Sequence, residues 1–78
     1  MMMEVANGYY KHFKGNVYHV IGNATNTETY EHYVIYHNIH DPTDLFARPL
    51  NNWLEDVWVD NNQRPRFTYL GETYNGMH

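Results

Sequence analysis

The strongest constraint in this chain is the run Tyr30–Asn38, YEHYVIYHN, which is dense in Tyr, Val and Ile and holds neither Gly nor Pro. β-Branched and aromatic side chains suit a pleated surface, so the run predicts a strand. Strand alternation puts His32, Val34 and Tyr36 on one face and Tyr33, Ile35 and His37 on the other. Apolar residues on both faces predict a central strand, which needs neighbours on each side.

Those neighbours are legible as short runs between turn residues. Tyr9–Phe13 reads as a short strand or extended lead-in, and Lys14-Gly15-Asn16 as the turn after it. Val17–Ile21 alternates, with Tyr18 and Val20 on one face, and Gly22 stops it or kinks it into a bulge. Asn23–Thr29 is polar and reads as a connecting loop. Asp41–Asp44 is a turn, followed by a short strand, Leu45–Arg48, that Pro49 ends or places at a sheet edge. Asn51-Asn52 offers an N-cap for one helical turn at Trp53-Leu54-Glu55. Val57–Val59, a hairpin turn at Asp60–Gln63 and a return strand at Pro65–Leu70 complete the pattern. Short strands, Gly and Pro turns and no amphipathic helix predict an all-β domain, a small barrel over residues 8–70. Residues 1–7 and 71–78 are expected to fray.

A chain of 78 residues is one domain at most and buries only about 60–65% of its unfolded surface. It has no cysteine, so neither a disulfide nor thiol chemistry supports it, which fits a reducing compartment. The start lacks the pattern of a secretory signal, and no apolar run approaches the roughly 20 residues of a membrane span. A soluble, cytoplasmic protein with no membrane partner is expected. A net charge of −4 argues against a general duplex-DNA binder, though not against capture of one small anion.

The densest chemistry lies in Gly8–Gly15, GYYKHFKG. Tyr10 and Phe13 are expected in the core, with His12 and Lys14 facing outward. With Tyr18, Tyr36 and Arg48 these make a candidate ligand site of Tyr10, His12, Lys14, Tyr18, Tyr36 and Arg48. Lys14 supplies a point charge, and Arg48 a planar fork that matches phosphate or carboxylate. Tyrosines stack on rings, and His12 can donate to an anion. The competing reading makes Tyr10, Tyr18 and Tyr36 barrel core and pairs Arg48 with Glu28 or Glu31. His37-x-x-His40-Asp41 invites a metal, but without convergence of three or four ligands no metal site is assigned. Ser and Cys are both absent, and Glu55-Asp56 is no ready acid–base dyad, so no catalytic residue and no cofactor are expected.

The order Gly8-x-Tyr10-x-His12-Phe13-Lys14-Gly15, Tyr18-x-Val20-x-Gly22-x-Ala24, Thr27-Glu28-Thr29-x-Glu31, Val34-x-Tyr36, Arg48-Pro49-Leu50, Val59-Asp60 and Pro65-Arg66-Phe67 resembles a bacterial and phage family, domain of unknown function 1653. The resemblance implies an SH3-like barrel, here five-stranded with at most one helical turn, and no established activity. Ile39-His40-Asp41-Pro42 stands where that family carries an apolar residue, a Tyr and a Gly, so a shared ligand specificity does not carry over there. The expectation is a non-enzymatic domain binding a small anionic, nucleotide-like ligand. Phage members of the family would make that ligand a host nucleotide signal held in sequestration. The alternatives are a protein-interaction module with an aromatic wall, and a weak nucleic-acid binder using Lys11, Lys14, Arg48, Arg64 and Arg66. Surplus aromatics such as Tyr33, Trp53 and Trp58 also suit a homo-oligomer, unless Trp53 caps an open end of the barrel.

Overall fold

A computed structural model describes residues 4–75. The chain runs β1 (Gly8–His12), β2 (Val17–Thr25), β3 (His32–Asn38), β4 (Phe46–Pro49), α1 (Leu50–Trp53), β5 (Asp56–Val59), β6 (Asn62–Pro65) and β7 (Phe67–Gly71). Five strands form one antiparallel sheet in the order β4-β3-β2-β1-β7, and β5 and β6 pair separately as a hairpin. The all-β class expected from the sequence is the class observed. Among the described residues no helix is long and apolar enough to cross a membrane.

The central strand behaves as its alternation predicts. Val34 and Tyr36 are buried on one face of β3, while β2 and β4 flank it. Gly22 marks a register shift against β3, the expected bulge. The strand does not stop there. It runs on to Thr25, pairing Asn23 with Val34 and Ala24 with Tyr33, so the expected loop shortens to the turn around Asn26–Glu31. Asn23 is held in sheet because its side chain exchanges two hydrogen bonds with the backbone of Val5, at 3.0 and 2.9 Å. That clamp also places Val5 in the core, where fraying was expected. The remaining expectation of frayed ends at residues 1–3 and 76–78 lies outside the described residues.

Three further expectations are corrected. The sheet does not close into a barrel: β4 and β7 remain its edges. The expected return strand Pro65–Leu70 breaks at Arg66, so β6 pairs with β5 and β7 crosses to β1. A two-residue turn with Asp60 at φ 51° and Asn61 at φ 65° holds the β5–β6 hairpin together. The helical turn also begins earlier than expected, at Leu50. Pro49 sits at its N-cap with φ −55° and no side-chain cap, so Asn51 and Asn52 do not cap it. The i, i+3 spacing then buries both Leu50 and Trp53.

Close backbone approach of β1 and β7 depends on Gly8. Its φ is 138°, and a Cβ there would lie 2.6 Å from the Gly71 carbonyl oxygen. The core is Val5, Tyr10, Val20, Val34, Tyr36, Leu50, Trp53 and Phe67. Trp53 is 3% exposed and Trp58, on the hairpin, 73%. Trp53→Ala should therefore cost about 3–5 kcal/mol, and Trp58→Ala less than about 0.5 kcal/mol, read as shifts in urea midpoint. Tyr30 is 75% exposed and holds φ at 61°, a conformation that strains a bulky residue. Tyr30→Asn should raise stability by about 1 kcal/mol in the same measurement, since Asn tolerates this region.

Candidate functional site

Register places Tyr10, His12, Tyr18, Tyr36 and Arg48 on one face of the sheet, the face that carries the core. Tyr10 pairs with Tyr18 on one side and with Tyr69 on the other, and His12 pairs with Phe67. Tyr36 pairs with Val20 and Phe46, and Val34 with Arg48. Directly paired residues in an antiparallel sheet project to the same face, so these strands build an aromatic trough.

Phe67 is its hub. The Trp53 indole lies flat on it, with centroids 3.6 Å apart and planes 3° apart. His12 meets Phe67 edge-on at 4.9 Å, Tyr18 at 6.1 Å and Tyr36 at 6.2 Å. The Arg48 guanidinium carbon stands 5.3 Å from the same ring centroid, within cation–π range. Arg48 Nε donates to the Tyr36 hydroxyl at 3.1 Å, and Nη1 donates to Asn52 Oδ1 at 2.6 Å. Both acceptors are neutral.

The ion pair from Arg48 to Glu28 or Glu31, part of the competing reading, is absent among the described residues. Glu31 instead accepts the Tyr33 hydroxyl at 2.7 Å, and the one ion pair among the described residues joins Arg66 to Glu55 at 2.9 Å. Arg66 Nε also donates to the Asn52 carbonyl at 3.1 Å. Asn52 thus holds two guanidinium groups together through neutral oxygen atoms.

His12 faces inward, against the expectation that it would point out. Residues two apart share a strand face, so His12 follows Tyr10, while Phe13 falls beyond the strand and is exposed. Lys14 lies in the turn, its ammonium 5.8 Å from the Phe13 ring. The Lys14 amide donates to His12 Nδ1 at 3.2 Å, so the neutral ring carries its proton on Nε2. Burial, and then the charges of Arg48, Lys14 and Arg66, hold the His12 pKa below its ordinary 6.5. At pH 7 the ring is a neutral donor amid cations.

Five of the six candidate residues, Tyr10, His12, Tyr18, Tyr36 and Arg48, are therefore brought together, with Lys14 at the rim. Tyr36 is spent: it is buried, and its hydroxyl is held by Arg48. Tyr10 donates to the Ala6 carbonyl at 2.8 Å and lines an apolar cavity of about 340 Å³ with Trp53, Leu54, Phe67 and Tyr69. Phe67 and Asn52 were missed as site residues, and Arg66 entered only with the nucleic-acid alternative. Only the return strand and the i, i+4 spacing of Arg48 and Asn52 hinted at them. His37 lies on the opposite face, buried, with Nδ1 donating to the Asn38 carbonyl at 2.8 Å and its ring edge-on to His19 at 5.3 Å. His40 is exposed in the loop beyond. Among the described residues no three His, Cys, Asp or Glu side chains gather as metal ligands.

The fold and this site define a small open all-β domain with a cationic aromatic trough. The chain belongs to the DUF1653 family of proteins of unknown function, whose model matches residues 8–69. It is similar to the crystal structure of a DUF1653 protein from Bordetella bronchiseptica, with 32% identity, a TM-score of 0.81, and 95% of this chain and 97% of that one covered. No curated protein matches the sequence.

The depressed His12 pKa has a defined consequence for stability. The ring binds protons more weakly folded than unfolded, so its stabilising contribution is complete above about pH 6.5 and is lost as pH falls through the folded value. His19, lowered by burial and by His37, acts in the same direction. A proton NMR titration should place the His12 midpoint below 6.5, and His12→Gln should flatten part of the loss in urea midpoint between about pH 7 and 5.

Proposed function

We propose that this is a non-enzymatic binding domain for a small anionic, nucleotide-like ligand. One observation carries the reading: the half-buried Arg48 guanidinium is held in place by neutral acceptors and has no carboxylate partner among the described residues. A charge removed from water costs free energy unless it is paired, so an anion arriving at Arg48 gains a strong, oriented, charge-assisted contact. His12 Nε2–H adds a neutral donor beside it. The cavity lined by Tyr10, Trp53 and Tyr69 shares Phe67 with the Arg48 contact and gives a flat ring a surface to lie on, which supports a nucleotide over a bare inorganic anion. The hydroxyl nucleophiles of the chain are limited to Thr and Tyr, which accords with binding without turnover. Sequestration of a nucleotide signal is the biological form such binding would take.

Thermal shift and calorimetry against a nucleotide panel test this. A ligand at one hundred times its Kd stabilises by about 2.7 kcal/mol, a Tm rise of roughly 10 °C or more for a domain this small. Arg48→Gln should abolish the shift while leaving the apo fold intact by circular dichroism. No shift with any nucleotide at millimolar concentration would sink the reading.

A second reading, a protein-interaction module, draws on Trp58, which stands exposed on a hairpin that pairs with no strand of the main sheet. If that reading holds, Trp58→Ala abolishes capture of a partner and Arg48→Gln does not.

A further inference from the structure

The five Lys and Arg residues of this acidic chain include Lys11 and Arg64, which line a cavity with His12, Lys14, whose amide bonds the His12 ring, and Arg48, which shares the Phe67 ring with it. They lie on two sides. On the core-bearing side are Arg48 and Arg66, tied together by Asn52, with Arg66 also paired to Glu55 and Lys14 at the rim. On the other side is a separate cavity of about 300 Å³, lined by Lys11, His12, Phe13, Arg64, Pro65 and Thr68. Lys11 and Thr68 pair across β1 and β7 on the opposite face, one step from the His12–Phe67 pair. The sheet edge therefore separates two cationic sites, and His12 borders both.

Neither Lys11 nor Arg64 has a carboxylate partner among the described residues. Cations placed this close repel one another, and with nine carboxylates in the chain, dispersing them would have been the easy arrangement. Arg48 does not line the cavity that Lys11 and Arg64 share, so the two groups offer separate positions for an anion. We infer that the ligand carries at least two linked anionic groups, one held by Arg48 and the other by Lys11 and Arg64, as in a nucleoside diphosphate or triphosphate. The Thr68 hydroxyl supplies a neutral donor in the second subsite. This inference rests on the anion-binding reading above and adds Lys11, Arg64 and Thr68 to the site.

Calorimetry at low salt with phosphate, pyrophosphate, AMP and ADP tests it on the full chain. Pyrophosphate and ADP should bind at least about tenfold tighter than phosphate and AMP, the order expected of one added charge-assisted contact. Lys11→Ala with Arg64→Ala, both at exposed positions, should bring ADP down to the affinity of AMP and leave AMP within about twofold. Equal affinity for AMP and ADP, unchanged by that pair but lost in Arg48→Gln, overturns the second subsite and leaves the anion reading standing. Absence of binding by all four compounds overturns both. Tighter binding of a single-stranded oligonucleotide than of ADP, with steep loss in salt, overturns the small-ligand inference in favour of nucleic acid.

Discussion

The flat stack of Trp53 on Phe67 does the work that barrel closure would otherwise do. With β4 and β7 left as edges, the two ends of the sheet share no hydrogen bonds. A single helical turn after Pro49 throws Trp53 across the gap, and its indole meets Phe67 at the start of β7 with centroids 3.6 Å apart. Aromatic pairs add about 0.5–1.5 kcal/mol beyond the area they bury. The larger effect is geometric: two large rings seal an opening that short strands, one of them ending in a proline, cannot close by pairing.

Sealing the gap this way creates the site. Phe67 presents its ring to Trp53, to Arg48 and to His12 at once. The residue that completes the core therefore also fixes the cation. Arg48 in turn donates through Nε to the Tyr36 hydroxyl, so a core residue helps to place the charge. Asn52 extends the coupling to Arg66, whose backbone carbonyl accepts from the Phe13 amide at 2.9 Å and whose amide donates to Glu55. The break between β6 and β7, the helical turn and the basic cluster form one connected unit.

Much of the fold could be read from local pattern. The faces of Tyr30–Asn38, the bulge at Gly22, the edge position of Pro49 and the Asp60–Asn61 turn follow from alternation or turn chemistry. The failures came where a distant contact decided the outcome. Asn23 looks like a loop residue until Val5, 18 positions earlier, is clamped to it. Arg66 looks like mid-strand until β6 and β7 take different partners. Barrel closure depends on whether the two edge strands meet, which no local window reports. In the site, residue types were legible and roles were not. Tyr36 reads as a stacking platform but is consumed in holding Arg48, and alternation misapplied across the end of β1 sent His12 outward.

The charge distribution argues for function more strongly than the aromatics do. Aromatic rings in a chain this small are needed for the core, and Tyr10, Tyr36, Trp53 and Phe67 are all buried there. Arg48 has a packing role through Tyr36 and Phe67, but that role does not require its charge to stand without a counter-ion. A carboxylate in place of the Asn52 amide would pair with Arg48 at the same position and remove the cost of an unbalanced charge. The amide orients the guanidinium and leaves its charge uncompensated, and the ring of Phe67 beneath it offsets part of the desolvation. His12 fits the same pattern, because the Lys14 amide occupies Nδ1 and favours the neutral form with Nε2–H free to donate. At Arg48 and His12 the arrangement holds a positive charge and a directed donor in fixed geometry, the features on which the proposed recognition of an anion rests.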